Sequence, residues 1–292
     1  MSGAAGSAGS VPRQAVPRQA GAIDGEEQPL LAARDIACVR APNPGVLTLS
    51  GTNTWVVGRA PAWVIDPGPA IDEHLAALSA EVERRGGLGG VALTHEHADH
   101  SEALPALLER HPAPLAAAGR RADVTLSDGA RFGPLEAVAT PGHAPEHVAL
   151  LAAGACFSGD AVLGEGSVFI SPYRGAMAAY LGALERLTAR EDFTVICPGH
   201  GPVVADGHAK LAEYLAHRRE REQALLAALA QGRRSVSELL DDAWSDVPAA
   251  LRPAAAATLE AHLDKLEGEG RLPDGVERPE HQWLAAARGA HV

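Results

Sequence analysis

The sequence predicts an α/β fold, with helices on the outer faces of mixed β-sheet and a small helical domain at the C-terminal end. Two observations predict it. Between residues 35 and 205 short β-type runs alternate with helix-period segments, and after Pro202 the strand-like runs stop and long helical patterns replace them. A third observation narrows the class: no G-x-G-x-x-G joins an early strand to a helix, which disfavours a dinucleotide-binding βαβ domain.

Residues 1–28 are rich in Gly, Ala, Ser, Pro and Gln, repeat Val-Pro-Arg-Gln-Ala and carry no apolar period, so they read as a disordered arm. A first domain is expected over residues 29–206. It opens on "VLTLS", "NTWVVG" and "AWVID", three runs bounded by Gly, Pro or Asn and close enough together to pair antiparallel. "AIDEHLAALSAEVERR" has helical period, "GVALT" reads as a buried strand and "HSEALPALLERH" as a helix. The strands "PLEAVAT", "HVALLAA" and "ACFSG" follow, then the helix "GAMAAYLGALERLTAR" and the strand "FTVIC". In the C-terminal domain, residues 207–292, a long helix is expected over 207–231. A second starts at Ser235, with Glu238 completing a capping box, and a third closes at Gly268 and Gly270. With "RLPDGV" as a short hairpin or wing, the three helices read as a winged-helix-like module.

Length and composition bound the function. A chain of 292 residues can bury a full core without staples, and its three scattered cysteines, Cys38, Cys156 and Cys197, form no C-x-x-C pair. A reducing cytoplasm fits. No run reaches the length of a membrane span and the N-terminus has no apolar signal segment, so a soluble protein without membrane contact is expected. The formal net charge of -12 disfavours non-specific capture of nucleic acid by the whole surface.

The densest chemistry lies in "LTHEHADHSEA", residues 93–103. His95, His97, Asp99 and His100 sit where the strand "GVALT" ends and a helix begins, the edge at which open sheets carry their sites. Imidazole nitrogen and carboxylate oxygen are the ligands of catalytic zinc, and alternate residues of an extended turn point the same way, so His95 and His97 can share one metal while Asp99 and His100 face a second. Two metals need more donors. They are supplied by His143 in "ATPGHAPEH", Asp160 in "FSGD" and His200 in "CPGHG", each just after an apolar strand in a Gly- or Pro-rich turn. A lone histidine on such a turn is ordinarily structural; four turns delivering donors to one sheet edge point to a metal centre. His147 is a candidate proton donor to the leaving group, with a structural role as the alternative. Glu96 is expected to face solvent, Cys197 to be core, and Tyr173 and Arg174 either to line the cleft or simply to pack.

The set Thr94-His95-x-His97-x-Asp99-His100, Gly142-His143, Gly159-Asp160 and Gly199-His200-Gly201 resembles the metallo-β-lactamase fold over about residues 30–205. "VIDPG", with Asp66, matches that family's first motif. "TNTWVVG", "GEGSVF", "PGHGPVV" and the helical tail narrow the likeness to the lactamase-β-2-like group. The resemblance implies a four-layer αβ/βα sandwich with a binuclear metal site. His95, His97 and His143 would hold one ion, Asp99, His100 and His200 the other, and Asp160 would bridge them. Asp66 would orient the metal loop, and Asp99 would hold and deprotonate the attacking water. Zinc is the foremost metal, with iron and manganese accepted by the same ligands. A carboxylate bridge argues against a true β-lactamase.

The expected activity is therefore metal-dependent hydrolysis. Three substrate classes compete: a phosphodiester of single-stranded RNA, known for the animal member of the group; a thioester, as in glyoxalase II and acyl-carrier thioesterases; and a lactone. A metal-binding winged-helix regulator is the non-enzyme alternative. Residues 206–292 carry 11 basic and 15 acidic side chains and the third helix is acidic, so sequence-specific DNA reading is not expected and the module reads better as a cleft wall or homodimer element. His217, Arg218, Arg219 and Arg221, with Arg233 and Arg234, are the cluster that could grip a polyanion; the bland reading is a solvated helix face.

Overall fold

The computed structural model describes residues 27–280, so the expected N-terminal arm lies outside the described residues except for Glu27 and Gln28. Gln28 begins a short helix, α1 (Gln28–Ala32), whose Leu31 is buried. The first sheet is built from β1 (Ile36–Arg40), β2 (Asn53–Val57), β3 (Ala62–Ile65), β4 (Leu88–Ala92), β5 (Leu115–Ala117) and β6 (Val124–Thr125), paired in that order. β1 to β3 pair antiparallel and β3 to β6 pair parallel, with helices making the crossovers from β3 to β4 and from β4 to β5. These helices are α2 (Asp72–Arg84), then α3 (Ala98–Ser101) and α4 (Leu104–Arg110). The expected single helix over residues 100–111 is split in two, with Pro105 taking the first turn of α4, where its missing N–H costs nothing.

β7 (Arg131–Phe132), β8 (Leu135–Ala139), β9 (Val148–Ala152) and β10 (Ala155–Gly159) form the second sheet with β11 (Val195–Pro198), which enters parallel to β10 after α5 (Ala176–Thr188). The inner faces meet in a core that includes Trp55, Ile65, Leu150 and Phe157. Leu75, Leu78, Val82, Leu104 and Leu107 cover the outer face of the first sheet, and Tyr180, Leu184, Leu187 and Leu211 that of the second. The result is the four-layer αβ/βα sandwich.

"VLTLS" is not a strand: residues 45–50 form a turn closed by a bridge between Gly45 and Leu49, and Thr48 Oγ1 donates to Asn43 O at 2.6 Å. Val46 at its tip is 58 % exposed, so this apolar run is spent on a surface loop.

α6 (Gly207–Ala230) serves two cores. Leu211, Tyr214 and Leu215 pack on the second sheet, whereas Leu225, Ala228 and Leu229 join α7 (Val236–Ala243) and α8 (Arg252–Gly268) in a separate cluster with Leu239, Leu240, Leu259 and Leu263. Ser235 and Glu238 cap α7 reciprocally. The expected wing does not form a hairpin: residues 271–280 contain a turn at Asp274-Gly275 and no strand. Among the described residues, no helix is long and apolar enough to cross a membrane. All three cysteines are buried and unpaired.

Candidate metal centre

β4 runs out at Ala92 and the chain turns at Thr94, so that His95, His97 and the first turn of α3 lie over the end of the first sheet. The turns after β8, β10 and β11 bring His143, Asp160 and His200 to the same edge from the second sheet. All seven expected donors meet there. His97 Nδ1 lies 3.1 Å from His95 Nε2 and 2.9 Å from His143 Nε2. His200 Nε2 lies 3.2 Å from both His100 Nε2 and Asp99 Oδ2. Asp160 stands between the two groups, with Oδ2 3.7 Å from His143 Nε2 and 3.4 Å from His200 Nε2, and Oδ1 3.5 Å from His100 Nε2.

Close approach at this edge depends on glycine. Gly159 has φ +47°, and a Cβ there would sit 2.7 Å from His147 Nε2 and 2.5 Å from Thr94 Oγ1, so the turn that delivers Asp160 tolerates no side chain.

Burial and charge separate the centre into two halves. Burial, reinforced by neighbouring histidines, holds His95 and His143 well below the ordinary histidine range, so their nitrogens offer lone pairs. Burial opposes charge on His100 and His200 too, but there Asp99 and Asp160 outweigh it and raise them to about 9 and about 10. Burial raises Asp99 and Asp160, yet the histidines around them win and keep both carboxylates ionised.

This donor set fits divalent cations. His97 Nδ1, 2.9 and 3.1 Å from two other imidazole nitrogens, cannot satisfy both with one proton or one lone pair, whereas tetrahedral zinc with nitrogens at about 2.0–2.1 Å spaces its ligands about 3.3 Å apart. Asp160 Oδ1 is buried and makes no hydrogen bond among the described residues, with only the His100 ring 3.5 Å away, and a divalent cation there would satisfy it. Asp66, His95 and His100 also group closely enough to suggest a ligand set, but the hydrogen bonds of Asp66 give it another task. Its Oδ1 accepts from the Thr94 N–H at 2.8 Å, and its Oδ2 from Thr94 Oγ1 at 2.6 Å, and Oδ2 lies 2.9 Å from His100 Nδ1, the nitrogen turned away from the cluster. It holds that aspect at φ +52°, an uncommon conformation for a side chain larger than glycine.

The geometry around His147, the candidate proton donor, supports the structural alternative. Its Nε2 accepts the Asp160 N–H at 3.1 Å and its Nδ1 lies 2.7 Å from Thr140 Oγ1, while burial keeps the ring neutral by lowering it to about 3. Both nitrogens are committed inside the protein, so His147 aims Asp160. Glu96 stays at the rim, paired with Arg120 at 3.1 Å.

Asn53 has a role that no motif in the sequence announces. This buried residue of "TNTW" donates its backbone N–H to Gly199 O at 2.7 Å and its side-chain amide to Pro198 O at 3.0 Å and Gly201 O at 2.9 Å, clamping the His200 turn onto the first sheet. Polar residues at the start of an otherwise apolar strand were the available signal.

A cavity of about 600 Å³ abuts His143 and Asp160. Its walls come from the 46–49 turn, from Leu163, Val168 and Phe169, from α6, and from Trp244, Val247 and Leu251 in the connection between α7 and α8.

Residues 47–130 match the family described as Metallo-beta-lactamase superfamily, and residues 235–273 match the Beta-lactamase associated winged helix domain. The chain is 31 % identical over 272 residues to the Beta-lactamase-like protein 2 homolog of Caenorhabditis elegans, an alignment spanning 84 % of this chain and 88 % of the relative. The chain belongs to the metallo-β-lactamase superfamily. A second relative, the atrochrysone carboxyl ACP thioesterase of Aspergillus chevalieri, is 31 % identical over 269 residues, 84 % of this chain and 85 % of that one. The fold of a β-lactamase domain protein from Burkholderia ambifaria superposes with a TM-score of 0.70 at 21 % identity, over 83 % of this chain and 90 % of that one. This metallo-β-lactamase superfamily chain is thus a hydrolase with a C-terminal winged-helix domain.

Proposed function

We propose that the chain is a binuclear metal-dependent hydrolase of acyl thioesters. The observation that carries this reading is the largely apolar cavity of about 600 Å³ against His143 and Asp160, a shape suited to an acyl body and not to a phosphate backbone. The named thioesterase among the relatives supports it. Two divalent ions, zinc foremost, held by His95, His97 and His143 and by Asp99, His100 and His200 with Asp160 between them, would supply the Lewis acidity that polarises an acyl carbonyl and acidifies water. Asp99, kept ionised by His100 and His200, takes the proton of the attacking water at its carboxylate. The acyl C–S bond breaks and the electron pair leaves with sulfur. A thiol of pKa about 8.5 departs without a protein acid, whereas a ribose alkoxide does not, and this suits a site in which His147 is committed to Asp160.

The basic cluster does not favour RNA. Arg219 pairs with Glu185 at 3.4 Å, Arg221 with Asp246 at 2.6 Å and Arg233 with Asp242 at 3.0 Å, and Arg234 donates to Leu229 O at 2.8 Å. Phosphates would have to displace these partners. Three buried, unpaired cysteines accord with a cytoplasmic setting.

The test is one zinc-loaded preparation, with metal content determined, assayed on acyl thioesters of N-acetylcysteamine and on single-stranded RNA across a salt series. Thioester hydrolysis nearly indifferent to salt is expected. RNA cleavage that falls steeply with salt, with no thioester turnover, overturns the proposal.

A further inference from the structure

Resting on the thioesterase reading, we infer that the cavity carries an anion site at Arg218, and that the preferred acyl group ends in a carboxylate. Arg218 is 2 % exposed, sits on α6 and lines the cavity. Among the described residues no carboxylate lies within ion-pair distance of it, although the neighbouring Arg219, Arg221 and Arg233 each have one. Its Nη2 donates to Val168 O, its guanidinium carbon lies 5.3 Å from the centre of the Tyr180 ring, and its Nε has no hydrogen-bond partner among the described residues. A buried guanidinium without a counter-charge is costly, and a neutral donor could tether a carbonyl as well. The positive charge is therefore surplus to packing.

Position makes that charge useful. Val168 precedes Phe169, whose carbonyl lies 3.2 Å from His143 Nδ1, so a two-residue segment links the cation to the metal centre, and the same cavity touches both ends. An acyl chain with its thioester carbonyl at the metal edge can direct a terminal carboxylate toward Arg218. There a charge-assisted hydrogen bond in a desolvated setting gains strength that water would dilute.

The experiment compares hexanoyl and adipoyl thioesters of N-acetylcysteamine, which differ by a terminal carboxylate, together with their non-hydrolysable thioether analogues, whose binding is read by calorimetry. We expect kcat/KM for adipoyl to exceed that for hexanoyl by at least about tenfold, and the carboxylated thioether to bind tighter by a similar factor, the scale of one charged hydrogen bond. In Arg218→Gln both ratios should collapse toward one. Equal turnover and equal thioether binding of the two in the wild-type protein overturn the anion site and leave the thioesterase reading intact. No turnover of either thioester, with thioether selectivity retained and lost in Arg218→Gln, overturns the thioesterase reading and leaves the anion site standing. Should Arg218→Gln fail to fold, the wild-type comparison still decides.

Discussion

Asp66 Oδ2 lies 2.9 Å from His100 Nδ1, on the side of the ring opposite the nitrogen that faces His200. The same carboxylate fixes Thr94 at the start of the histidine loop, so one aspartate sets both the aim of a donor and the path of the segment bearing three others. Replacing Asp66 by Ala should weaken binding of the ion assigned to Asp99, His100 and His200 by about 10- to 100-fold, the usual effect of losing a partner behind a ligand. Titration of the apo protein with zinc against a competing chelator reads this directly. Two unchanged affinities would remove Asp66 from the centre.

His147 makes a prediction that distinguishes aiming from proton donation. If its task is to hold Asp160 through the N–H bond at 3.1 Å, His147→Gln, which can still accept that bond, should retain more activity than His147→Ala, and neither should change the shape of the pH profile of kcat/KM. A lost basic limb in both variants would restore the proton-donor role.

Gly199 offers a way to disturb the centre without removing a donor. A Cβ there would press on Asp160 Oδ1 and lie 2.7 Å from His100 Cε1, both inside van der Waals contact. Gly199→Ala should lower bound metal by at least about one equivalent per chain, the loss expected when a built-in ligand geometry is forced off its rotamers. Elemental analysis beside a circular-dichroism melt separates this from unfolding. Full metal content in a folded variant would contradict the tight packing.

Glu222 links the C-terminal helices to pH. It is held down to about 2 by His262, 3.8 Å away, and by Lys265 at 2.7 Å, with Arg271 at 3.1 Å. The 3.8 Å contact is too long for a hydrogen bond, so Lys265 is the firmer partner. A carboxylate with a depressed folded pKa contributes stability above its ordinary value of about 4.5 and loses it as pH falls toward 2. Wild-type Tm should therefore fall more steeply than that of Glu222→Gln between pH 4.5 and 2.5. Parallel curves would deny the linkage.

The donor residues were legible in the sequence because metal chemistry restricts residue type. His95, His97, Asp99, His100, His143, Asp160 and His200 stand after apolar strands in turn-forming contexts, and period and spacing alone group them at one edge. The alternation of strands and helices likewise predicted mixed sheet with helices outside it, the four-layer sandwich being implied by the family resemblance, and Ser235 with Glu238 marked the start of α7. Tertiary structure decided what local pattern cannot encode. "VLTLS" has the composition of a strand but finds no partner ladder, so it becomes the rim of a cavity. His147 looks like any histidine beside a metal motif until the Asp160 N–H, 13 residues away, takes its lone pair. The arginines of α6 read either as a polyanion grip or as a solvated helix face until Glu185 and Asp246 pair with Arg219 and Arg221 and leave Arg218 buried with no ion partner among the described residues. Residue type and spacing fix which atoms can act; only packing, through burial and long-range pairing, fixes which of them keep a charge or a lone pair to act with.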